Sequence, residues 1–85
     1  MPTVLRIGAL RVVVYPNDHR PAHVHVIGHG HEAVFVLNRP PHRVMLRENY
    51  GFSRSDITAM ERALIANLML LLAEWEKIHG TKGSI

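Results

Sequence analysis

The sequence predicts an α+β fold, an antiparallel sheet of four to five strands packed against one long C-terminal helix. Three observations predict it. From Thr3 to Leu37 the chain is a series of short runs in which apolar residues alternate with polar ones, broken by Gly and Pro, and period two is the signature of half-buried strands. From Arg54 to His79 no Gly or Pro interrupts the chain, and apolar residues recur every three or four positions, the period of a helix. The whole chain has 85 residues, enough for one core and not for two. Residues 1–80 are therefore expected to form a single α+β domain, with 81–85 as a frayed tail.

The elements follow in order. Thr3 to Ile7 places Leu5 and Ile7 on one face, and Leu10 to Tyr15 follows after Gly8-Ala9, which suits two strands joined by a tight turn. Pro16-Asn17-Asp18-His19-Arg20-Pro21 is dense in turn formers and carries two prolines, so the chain leaves the sheet there as a loop of about six residues. Ala22 to Ile27 alternates Val24 and Val26 against His23 and His25. Gly28-His29-Gly30 then supplies a turn before the apolar run Ala33 to Leu37, making a second hairpin. After the break at Asn38-Arg39-Pro40-Pro41, His42 to Arg47 reads as a short edge strand. Ser53 is placed to cap the helix, with Asp56 at the capping-box position and Gly80 as a stop signal.

Along that helix Ile57, Met60, Leu64, Leu68, Leu71, Leu72, Trp75 and Ile78 mark the stripe that packs on the sheet. Ile65, Met69 and Leu70 lie beyond the stripe. They point either to a sheet curled around the helix or to a subunit interface. The run Ala63 to Ala73 is too short to cross a bilayer, which takes about 20 residues, so no membrane partner is expected. The absence of cysteine removes disulfides and thiolate metal sites, and no secretory signal is recognisable at Met1 to Arg6, so a cytoplasmic location is expected. The net charge of +3 is uneven, with seven arginines against three acids up to Ser55 and a slight acidic excess after it. Basic charge on the sheet half would favour an anionic partner such as RNA, DNA or an acidic protein; the plainer reading is ordinary solubilising charge.

Histidine is the residue type that singles out a candidate site. Seven occur in the chain, and His19, His23 and His25 fall within seven positions. On a strand, His23 and His25 project from the same face while Val24 and Val26 enter the core, and His31 and Glu32 begin the opposing strand. Three readings of this cluster stay open. Imidazoles titrate near neutrality, so they could accept and donate protons in metal-independent RNA cleavage, with Arg20, Arg6 or Arg11 stabilising phosphate charge. A His-x-His pair with a third His, here His19, His23 and His25, could hold zinc. The imidazoles could also be structural, hydrogen-bonding the Asn17 to Pro21 loop. Glu32 could act as a base or metal ligand or be a solvated strand residue; Tyr15 and Tyr50 could stack a base or fill the rim of the core. Two motifs fail: Ile27 stands where a histidine-triad signature needs its third histidine, and Gly28-His29-Gly30 is too short for a phosphate-cradling loop.

The strings Met1-Pro2-Thr3-Val4-Leu5-Arg6-Ile7-Gly8, Asn17-Asp18-His19 with Pro21 and His23-x-His25-Val26, and Gly51-Phe52-Ser53 opening a terminal helix resemble the bacterial domain of unknown function 4160 family over nearly the whole chain. The resemblance implies a small protein encoded beside a second one, as in toxin–antitoxin pairs, and hence a toxin-like role with a neutralising protein partner. The chain departs from the family's usual segment after Leu37, at Pro40-Pro41-His42 and the arginine-rich strand, and its helix is richer in leucine.

The expectation that results is a toxin-like component acting on RNA. His19, His23 and His25 are its acid–base or phosphate-contacting groups, Arg20 its electrostatic stabiliser, and Arg6, Arg11 and Tyr15 its substrate contacts. No cofactor is required on this reading, although zinc at the three histidines is compatible with the pattern. A non-enzymatic module that binds protein or DNA through the apolar helix, possessing structural histidines and able to form homo-oligomers, is the alternative.

Overall fold

A computed structural model describes residues 3–16, 21–38 and 44–79. Five strands form one antiparallel sheet, β1 (Thr3–Ile7), β2 (Leu10–Val13), β3 (His23–Gly28), β4 (His31–Leu37) and β5 (Val44–Tyr50), in the spatial order of the sequence. Each strand pairs with the next, as short connections favour. The β3–β4 hairpin turns on two residues, His29 and Gly30, both with positive φ (53° and 77°). This is the backbone that matches the twist of the flanking strands, and glycine reaches it without strain. The edge strand β5 continues past its expected end at Arg47, through Tyr50, with a register shift between Val34 and Phe35 of β4, while His42 and Arg43 lie outside the described residues.

The helical region is two helices rather than one, α1 (Arg54–Ala66) and α2 (Leu68–His79). The break is at Asn67, a residue whose amide competes with the backbone for partners. Its Nδ2 donates to the Ala63 carbonyl at 2.8 Å, the acceptor its own backbone N–H would take in a regular helix, and that N–H goes instead to Leu64 O at 3.1 Å. Leu71 N–H then bonds Asn67 O at 2.9 Å and the helix resumes. The start is as expected: Ser53 caps α1, its hydroxyl accepting from Asp56 N–H at 3.1 Å while Ser53 N–H donates to the Asp56 carboxylate at 3.3 Å.

Strand alternation sends Val12, Val24, Val26, Ala33, Phe35 and Leu37 to one face of the sheet. There they form the core with Ile57, Met60, Leu64, Leu68, Leu71 and Trp75 from the helices. Leu72 and Ile78 are half-buried against that core, whereas Ile65, Met69 and Leu70 stand in solvent. No helix among the described residues is long and apolar enough to cross a membrane. The expected tail, 81–85, and most of the loop after Pro16 lie outside the described residues.

Candidate functional site

The site is built on the other face of the sheet, and the strand register defines it. Directly opposed residues in an antiparallel pair share a face. Arg6 faces Arg11, Arg11 faces Ile27, Ile27 faces Glu32 and Glu32 faces Tyr50, so one row of side chains crosses all five strands. The adjacent row is Val13, His25, Val34 and Glu48. His25 and Glu32 are thus diagonal neighbours across the β3–β4 hairpin, within reach of each other's long side chains.

They meet at 2.8 Å, His25 Nδ1 to Glu32 Oε2. A carboxylate accepts, so Nδ1 carries the proton and the lone pair of the neutral ring is on Nε2. Glu32 thereby orients the ring through its carboxylate. His25 is 15% exposed and Glu32 40%, so the dyad is shielded without being sealed from solvent. Tyr15, two residues beyond Val13, sets its ring edge-on to His25, with centroids 4.6 Å apart. Arg6 is exposed and Arg11 half-buried in the neighbouring row.

His23 stands beside His25, ring centroids 5.4 Å apart, in different surroundings. It is 7% exposed, and its Nδ1 donates to the Pro21 carbonyl at 2.9 Å. Its ring also packs on Trp75 of α2, with centroids 5.3 Å apart. Trp75 in turn stacks on His79 at 3.7 Å, and His79 Nδ1 donates to the Trp75 carbonyl at 3.1 Å. Five rings therefore follow one another from Tyr15 through His25, His23 and Trp75 to His79. Among the described residues, the buried Trp75 Nε1 and His79 Nε2 have no hydrogen-bond partner, which costs roughly 1–3 kcal/mol per group.

Of the residues singled out from sequence, His23, His25, Glu32, Arg6, Arg11 and Tyr15 share this side of the sheet. His31 does not join them. It opposes Gly28 and points to the helix side, where its ring meets Phe52 at 5.3 Å. His19 and Arg20 lie outside the described residues. No group of three or more His, Cys, Asp or Glu among the described residues is placed to hold a metal ion. The sequence reading placed Trp75 on the buried stripe but missed its contact with His23, and it missed His79. The spacing of four residues between Trp75 and His79 on a helix was the available signal, since it puts both rings on one face.

Residues 10–76 match the family model described as Domain of unknown function (DUF4160). The chain belongs to that family. The match takes in every element from β2 through most of α2, and so the His25–Glu32 dyad and the Trp75 contact, while leaving out β1 and Arg6. No curated protein and no solved structure matches the chain. DUF4160 membership carries no reaction with it, so a function has to be argued from the site.

Proposed function

We propose that this chain is the toxin-like component of a two-gene module and acts on RNA by metal-independent proton transfer at His25. The observation that carries the reading is the 2.8 Å bond from His25 Nδ1 to Glu32 on the same sheet face as Arg6 and Arg11. In this mechanism His25 Nε2 takes the proton of a ribose 2′-hydroxyl as its oxygen attacks the adjacent phosphorus. The O2′–P bond forms, the P–O5′ bond breaks, and a 2′,3′-cyclic phosphate results. Arg11 and Arg6 offset charge on the phosphate oxygens, with Arg20, next to His19 in the sequence, assigned the same task. His19, or the Tyr15 hydroxyl, returns a proton to the departing 5′-oxygen. Glu32 holds the imidazolium formed at His25, and His23 holds the Pro21 carbonyl.

The test is cleavage of a short single-stranded oligoribonucleotide by the full chain. His25→Ala is expected to lower the rate by about 10²–10⁴-fold, the usual share of general acid–base catalysis, and Glu32→Gln by less, with unchanged circular dichroism. Equal rates in the wild type and both variants would overturn the reading.

A second reading, a non-enzymatic module for a protein partner or DNA, is favoured by a separate observation: Ile65, Met69 and Leu70 are 37%, 61% and 45% exposed on the helices. On that reading the histidines are scaffold. A purified protein that leaves RNA intact while binding a co-encoded protein would support it.

A further inference from the structure

The outward surface of the two helices has a symmetry of composition that suggests its occupant. Met69, the most exposed large apolar residue there, lies at its centre, with Ile65 and Leu70 beside it. Ala66 and Ala73, about one turn to either side of Met69, are small and exposed. Seven positions before Met69 stands Arg62, exposed; seven positions after it stands Glu76, half-buried. Met69 and Glu76 are seven residues, nearly two turns, apart on α2, and Arg62 is on the outward face of α1, which continues that of α2 because both helices bury their other faces in one core. A shallow groove continues that surface over α1, lined by Ser55, Thr58, Ala59 and Ala63 between Arg54 and Arg62.

A surface reading basic, apolar, acidic is complementary to itself when reversed. We infer that two copies of this chain pair through α1 and α2, antiparallel, about a two-fold axis at Met69. Met69 then meets its counterpart, Ile65 of each copy packs on the small Ala73 of the other, and Arg62 of each copy faces Glu76 of the other, twice. The parallel arrangement sets Arg62 against Arg62 and Glu76 against Glu76, and charge disfavours it. A two-fold contact needs one surface patch that matches itself, which this one does. The contact would also remove from water an exposed apolar cluster of the kind monomers seldom keep. The pairing does not rest on the chemistry proposed at His25, since none of its residues belongs to that site.

Light scattering on the purified full chain at about 100 μM tests it. The expected mass is about twice the 9.6 kDa of one chain, falling to that of a monomer with Met69→Glu. Arg62→Glu and Glu76→Arg place like charges across the seam, and each alone is expected to weaken self-association at least tenfold. An equimolar mixture of the two variants restores opposite charges at both contacts and is expected to recover the dimer. A monomeric wild type, a dimer indifferent to these changes, or a mixture no better than either variant overturns the inference, the first leaving the surface to a different protein.

Discussion

His23 and His25 stand two residues apart on one strand, and their neighbours set them different tasks. His23 is held by a backbone carbonyl and His25 by a carboxylate, and on the proposed mechanism His25 is the one that takes the proton. His23 is held by the Pro21 carbonyl and packed on Trp75, and on the proposed mechanism it is a positioning residue. Denaturant unfolding should separate the two: His23→Ala is expected to cost about 1–3 kcal/mol through the unpaired Pro21 carbonyl and the space left beside Trp75, and His25→Ala under about 1 kcal/mol, the usual worth of a part-exposed pair. A larger loss for His25→Ala would make it the structural residue. Tyr50 is a further titratable group to follow. Its hydroxyl donates to Glu48 Oε1 at 3.1 Å, and that bond, with the carboxylate charge, raises its pKa above the ordinary tyrosine value. A group that holds its proton more tightly when folded loses stability as pH rises from its unfolded pKa, about 10, toward the folded value. Ultraviolet titration of Tyr15→Phe, which leaves Tyr50 as the one tyrosine, should show ionisation late, and adding Glu48→Gln should bring it earlier. No movement on adding Glu48→Gln would contradict the bond.

At the scale of elements, what could be read from sequence was what short-range chemistry determines. The Ser53 cap with Asp56, the buried stripe from Ile57 to Trp75 and the outward Ile65, Met69 and Leu70 were all legible because periodicity and capping are local. Asn67 was not, since a helical pattern tolerates asparagine, and only the geometry of its amide on the Ala63 carbonyl tells whether the helix breaks. Ser53→Ala is expected to cost about 1 kcal/mol. Asn67→Ala frees the Ala63 carbonyl for a regular backbone bond, and is expected to raise stability by about 0.5 kcal/mol in thermal unfolding. A loss of stability would mean that tertiary packing requires the break. Gly51 is the converse case. It has φ of 108°, and a β-carbon there would run into the His31 ring, so Gly51→Ala should destabilise the junction of β5 and α1 by more than the roughly 1 kcal/mol typical of a glycine conformational cost.

For the molecule as a whole, the histidine cluster was visible as a pattern, but its composition was not. Glu32 became a partner of His25 because a two-residue turn fixes the register of β3 on β4, which placed the two diagonally. The same register sent His31 to the helix side, although in the sequence it looked equivalent to His25. Trp75, with His79 stacked on it, meets His23 through packing between distant parts of the chain, which a one-dimensional pattern does not contain. The central claim is that His25 moves a proton on an RNA substrate without a metal. It is tested most directly by incubating the wild-type chain with a defined single-stranded oligoribonucleotide in excess EDTA and reading the products by mass spectrometry. Fragments ending in a 2′,3′-cyclic phosphate, absent with His25→Ala, are the predicted result; intact RNA, or fragments bearing 5′-phosphates and 3′-hydroxyls, would contradict it.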